Sequence, residues 1–122
     1  NFSNQWTLQA QRLGLRFPNL GIPSKLKGCV DLYDVTEDWI PIYDLSCVEG
    51  YFMACGTSGN QFKNAPVVGK VMAELIEYCE SGSNHDEDPM LYQLKNIDQK
   101  ISLATFSRLR EINQNSTFSV LG

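Results

Sequence analysis

The chain has 122 residues, enough for one domain with its own core, and its 43% hydrophobic and 20% charged residues are those of an ordinary globular protein. A formal charge of −4, with ten basic residues scattered and no basic stripe interleaved with aromatics, argues against nucleic acid as a partner. No apolar run approaches the roughly 20 residues needed to span a bilayer, and no basic segment followed by an apolar one reads as a signal peptide.

Trp6, Ala10, Leu13 and Phe17 recur at helical spacing, and Pro18 must stop what they begin. A helix over residues 7–16 follows, then a Gly/Pro-rich loop at 19–24. From Leu26 to Tyr33 apolar and polar positions alternate with period two, which predicts a strand. Val35–Asp38 is a tight polar connection. Trp39–Tyr43 reads as a second strand, confined by Pro41 to an edge or bulge.

After a turn at Val48–Gly50, Tyr51–Cys55 is an unbroken apolar run, as in a strand buried on both faces. Gly56–Gln61 is a loop, and Pro66 suits the first turn of the next helix. In that helix Val67, Val68, Val71, Met72, Leu75, Ile76 and Cys79 form a wide apolar face opposite Lys70, Glu74, Glu77 and Glu80. Ser81–Pro89 ends it and reads as a linker. Ile101, Thr105, Phe106, Leu109 and Ile112 predict a last helix with Arg108 and Arg110 near its C-terminal end, and 113–122 is a tail that orders only by docking.

Cys29, Cys47, Cys55 and Cys79 form no CxxC pair, and His85 is the sole histidine, so no zinc site is expected. Three of these cysteines occupy apolar strand or helix positions, which fits reduced core thiols in the cytoplasm or another reducing compartment. Gly56-Thr57-Ser58-Gly59, between an apolar strand and a helix, has the glycines that let backbone N–H groups converge on an anion. The alternative is a plain Gly-rich connection. A nucleophile elbow is disfavoured: Gly59 directly follows Ser58, Asn60 takes the place of the last glycine, and His85 stands in an acidic loop.

Several blocks in order carry a more specific signal: Leu32–Ile42 (LYDVTEDWIPI), Gly50-Tyr51, Cys55–Gly69 (CGTSGNQFKNAPVVG) and Ala73–Ile76 (AELI). Together, across roughly residues 26–80, they resemble the C-terminal part of the FAD-dependent D-amino-acid oxidase superfamily, in its sarcosine oxidase, glycine oxidase and dimethylglycine dehydrogenase branch. The resemblance implies a mixed α/β fragment, part of a Rossmann-like FAD-binding domain with a strand pair and helix from the substrate domain. It divides the chain into residues 1–45 (end of the substrate domain), 46–88 (returning strand, loop and helix of the FAD domain) and 89–122 (last helix and tail).

By the same resemblance Gly56, Thr57, Ser58, Gly59, Asn60 and Gln61 would contact FAD, with the helix from Ala65 pointing its positive end at the ring. Lys63 would hold a substrate carboxylate; its plain alternative is a solvated lysine at a helix start. Glu37 departs from the family's turn proline, Gln61 from its second loop glycine, and Asp31 from the cysteine that bonds FAD covalently in monomeric sarcosine oxidases. Cys29 lies two residues before that position and does not match it. The implied activity is oxidation of a small amine or amino acid by hydride transfer to FAD, with no acid or base assignable here. No G-x-G-x-x-G occurs in these 122 residues. The expectation is therefore a piece of a longer flavoprotein that binds FAD weakly or not at all alone, needing a missing N-terminal FAD-binding segment. The rival expectation is a non-catalytic, self-associating module whose partner is a second copy of the chain.

Overall fold

The computed structural model describes residues 2–29, 31–59 and 61–116. It is a mixed α+β structure in two compact units, 1–32 and 33–122. The domain boundaries drawn from the resemblance, after residues 45 and 88, both fall inside the second unit.

In the first unit, α1 runs Phe2–Arg16, five residues longer at its start than the spacing predicts. Leu20–Pro23 and the Trp6, Ala10 and Leu13 side of the helix line one cleft. The predicted strand at 26–33 does not form: its described residues have no regular structure and are exposed. Alternation alone cannot make a strand without a partner to take its N–H and C=O groups.

The second unit holds the remaining regular elements. β1 (Ile42–Leu45) pairs antiparallel with β2 (Phe52–Cys55), with Tyr43 opposite Ala54 and Asp44 opposite Met53. The first of these strands therefore starts beyond Pro41, not at Trp39, and its partner follows it in the chain. Trp39 is instead a turn residue at φ +63°. β2 is also less buried than its composition predicts, because a two-stranded sheet covers little of it and leaves Ala54 exposed.

A short 3-10 turn at Phe62–Asn64 runs into α2 (Ala65–Glu80), which has the predicted bounds and outward charges. Val71 and Leu75 of α2 join Met90, Tyr92 and Leu103 in the core, where fully buried Leu75 and Leu103 each contribute roughly 1.5–3 kcal/mol. Val67 and Ile76 on the same helix stay exposed.

The last third of the chain differs most from expectation. Residues 101–112 form no α-helix. β3 (Leu91–Leu94) and β4 (Gln99–Ser102) make a hairpin, followed by a 3-10 turn at Leu103–Phe106. Gln93 ties the hairpin loop by donating from Nε2 to the carbonyls of Ile97 and Gln99 at 3.4 and 3.1 Å. The segment 81–89 is folded, not a solvated linker: Tyr78 Oη donates to the Asp88 carbonyl at 2.9 Å, and His85 is 2% exposed.

Two buried carboxylates join the C-terminal segment to the β1 region. Asp44 accepts from Ser107 Oγ at 3.0 Å and from Arg108, whose guanidinium also grips Asp86 at 2.7 and 2.8 Å. Asp38 accepts from Arg110, and Ser116 Oγ donates to the Asp38 carbonyl at 2.7 Å. Of the expected tail, 113–116 thus docks through Ser116, and 117–122 lie outside the described residues. Among the described residues no helix is long and apolar enough to cross a membrane.

Candidate functional site

The loop after β2 has three left-handed residues within four positions: Gly56 (φ +67°), Ser58 (φ +53°) and Gly59 (φ +72°). Two of them are glycines, for which this conformation carries little cost. What holds the loop there is Asp34. Its carboxylate accepts from the Gly56 N–H and, at 2.7 Å, from Thr57 Oγ, while its backbone carbonyl accepts from the Ser58 N–H at 2.8 Å. Thr57, through its hydroxyl first, holds the Asp34 carboxyl below the usual carboxylate range; burial opposes this, and the loop N–H groups add to the lowering. Ser58 completes the turn by donating from Oγ to the Gly56 carbonyl at 3.2 Å.

The loop's N–H groups do converge on an anion, and that anion is a side chain of the same unit. Gly56 and Ser58 are buried against the 34–41 segment, whereas Thr57 is half-buried and Gly59 exposed. Asp34 falls within the block Leu32–Ile42, where nothing in the local sequence assigns it a role. Asp34 stands 22 positions before Gly56, with both β1 and β2 between them, beyond the reach of local pattern.

Beside the loop lies a cleft of about 360 Å³, walled by Tyr43, Ala54, Thr57, Gly59, Gln61 and Phe62, with the start of α2 behind. Its lining is largely apolar. Tyr43 Oη donates to Gln61 Oε1 at 3.1 Å, and Asn64 Nδ2 donates to the same oxygen at 2.7 Å, so the Gln61 amide is fixed at the cleft's floor. Burial pushes the Tyr43 phenol up, which keeps it protonated. Across Tyr43 and Gln61 a second cleft, of about 270 Å³, is lined by Val68, Val71, Leu103 and Phe106, and the Tyr43 and Phe106 rings lie 5.1 Å apart.

The helix start differs from expectation. Asn64 N–H donates to Gln61 O at 2.8 Å, Ala65 N–H to Phe62 O, and Pro66 has no N–H. Helical bonding therefore begins at Gln61, and the positive end lies at the 61–63 turn, one turn ahead of Ala65. Lys63 sits in that turn with its side chain exposed and is not part of either cleft wall.

Of the residues singled out by sequence, Thr57, Gly59 and Gln61 meet at one cleft, Gly56, Ser58 and Lys63 are not part of its wall, and Asn60 lies outside the described residues. Ser58 is fully buried with its hydroxyl committed to a carbonyl, which is not the exposed nucleophile of a hydrolase. His85 is a core residue. Its Nδ1 accepts from Met90 N–H at 3.2 Å, and its Nε2 lies 3.6 Å from Asp44 without a hydrogen bond. Burial, more than its charged neighbours, sets this imidazole below its ordinary pKa.

The four thiols are free. Cys29 and Cys47 are exposed, against the core position that apolar context predicts, whereas Cys55 and Cys79 are half-buried and Cys79 packs against the core. Among the described residues no cluster of His, Cys, Asp and Glu could hold a metal. No protein-family profile, curated protein or solved structure matches the chain.

Proposed function

We propose that this chain is the C-terminal part of a flavin-dependent oxidoreductase acting on a small amine or amino acid, and that the loop at 56–61 with its cleft is one wall of the cofactor site. In this reading β2, the loop and α2 are the returning strand, loop and helix of a Rossmann-like FAD domain. The observation that carries it is the pre-set turn opening onto a mainly apolar cleft floored by an oriented amide, beside the positive end of a helical segment. A flat, apolar ring with polar edges fits such a wall.

Tyr43 and Phe62 would flank the ring, Gly59 would let it approach the backbone, and Thr57 and Gln61 would orient its edge. Asp34 would keep the turn in place. A bound flavin would supply the hydride acceptor, and exposed Lys63 would attract a substrate carboxylate. The test is titration of the purified chain with FAD, read by flavin fluorescence polarisation. Weak saturable binding, abolished in a Gly59→Arg variant that fills the cleft mouth, supports the reading. Saturable binding that the Gly59→Arg variant leaves unchanged contradicts it.

A second reading rests on a different observation. Phe62 is 95% exposed and Leu91 58% exposed, and both two-stranded sheets have open edges. A self-associating module would bury these groups against a second copy of the chain.

A further inference from the structure

We propose that Arg110, although it touches neither cleft nor loop, is a positioning residue for the Gly56–Gly59 turn, acting through Asp38 and Thr36. Its consequence for a cofactor rests on the reading above; its effect on the turn does not.

The connection is continuous in space. Arg110 Nε and Nη2 donate to the two oxygens of fully buried Asp38 at 3.0 and 2.7 Å, and Nη2 also donates to the Ile40 carbonyl at 2.8 Å. Those two acceptors are the ones that orient Thr36. The Thr36 hydroxyl lies 3.1 Å from Asp38 Oδ1 and 2.8 Å from Ile40 O, and shares its single proton between them. With the hydroxyl fixed, the Thr36 methyl is aimed at Gly56. A Cβ built on Gly56 would stand 2.4 Å from it, so the two groups are in mutual contact with no space to spare.

The turn that carries this contact includes Trp39, held at φ +63°, where a bulky residue is strained and persists only through the bonds around it. The Ile40 N–H donates to Asp38 Oδ1 at 3.2 Å and the Trp39 N–H to Thr36 O at 3.2 Å. Arg110 closes the set by spanning Asp38 and Ile40 on either side of the strained residue. Two residues before Thr36, Asp34 grips Gly56, Thr57 and Ser58 directly. Residues 34–40 thus form a bracket, with the loop at one end and Arg110 at the other. A lysine could supply the charge but not the two-pronged grip plus the carbonyl bond.

The experiment uses the full chain and three proteins: wild type, Arg110→Lys and Thr36→Ser. Amide hydrogen exchange is measured at Gly56 and Ser58 relative to the α2 core amides at Val71 and Leu75. The relative rate at Gly56 and Ser58 should rise about tenfold in both variants, since each loosens the bracket locally. Thr36→Ser keeps the hydroxyl network and the Arg110–Asp38 pair, so it reads the methyl contact without the risk of unfolding. Unchanged relative rates in both variants, or a rise shared equally by the α2 amides, would overturn the proposal and leave Arg110 a general stabiliser. FAD polarisation separates the two claims: loosened exchange together with FAD binding that Gly59→Arg leaves unchanged keeps the positioning role and sinks the flavin reading.

Discussion

Arg108 reaches one oxygen of Asp44 twice: its backbone N–H lies 2.7 Å and its Nη1 3.1 Å from Oδ2. Asp44 is fully buried on β1, 64 positions earlier in the chain, and the same guanidinium extends to Asp86 beyond α2. Three separate segments of the second unit are therefore tied at one charge. The hydrogen bond to Asp86, first, and the field of Asp44 hold Arg108 in its charged form.

Removing that charge strands a buried carboxylate. Arg108→Met should destabilise the chain by about 3 kcal/mol, the low end for breaking a buried pair, because Asp44 keeps bonds from Ser107 Oγ, the backbone at 108 and the Leu45 N–H. Urea denaturation read by circular dichroism measures it. A loss below about 0.5 kcal/mol would mean that the pair behaves as a surface ion pair.

The two glycines around the candidate site should respond oppositely to a methyl group. At Gly56 the φ of +67° and the Thr36 methyl both oppose a Cβ, so Gly56→Ala should cost about 2 kcal/mol or more. At Gly69, inside α2 with open space around it, Gly69→Ala should stabilise by roughly 0.5–1 kcal/mol. Midpoints of thermal unfolding moving in the same direction for both would refute the loop geometry.

Acid should lower the protein's stability over two separate pH intervals. Folded His85 has a pKa below its ordinary value of about 6.5, so between the two the unfolded chain holds more protons. Its contribution to stability is complete above about pH 6.5 and is lost as pH falls through that interval. Asp38, whose pKa Arg110 depresses strongly, adds a second loss that begins as pH falls below the ordinary carboxylate value of about 4. In His85→Asn, where the amide oxygen can replace Nδ1 as acceptor from Met90, the first slope should flatten and the second remain. Urea midpoints across the pH range would show it; an unchanged first slope would place the titration elsewhere.

How legible this was in the sequence varied with the range of the forces involved. α2 and the turn before it could be read because local periodicity, Pro66 and the loop glycines all act within a few residues. The strand expected at 26–33 had the right alternation and lacked a partner. The helix expected at 101–112 rested on apolar spacing that is in fact shared by one strand, a 3-10 turn and an irregular segment. Arg108 and Arg110 looked like helix-end charges, whereas their partners are Asp44 and Asp38, 64 and 72 positions away. Likewise Asp34 and Thr36 act on Gly56 from a distance of about twenty residues, which no window of local pattern could reveal.

The exposed apolar groups make a separate prediction. At tens of micromolar the chain should self-associate in sedimentation velocity, and Phe62→Ser, which removes a 95% exposed ring at the cleft mouth, should shift it toward monomer. A monodisperse monomer at high concentration would remove the case for the self-associating module.

The central claim is that the loop at 56–61 and its cleft face a flavin. Residue-resolved amide chemical shifts of the isotope-labelled chain during FAD titration test it most directly. The account predicts shifts that saturate and cluster at Thr57, Gly59, Gln61 and Phe62, with Gly56 and Ser58 held nearly still by Asp34. Saturating shifts that cluster elsewhere in the second unit and leave Thr57, Gly59, Gln61 and Phe62 still would contradict it.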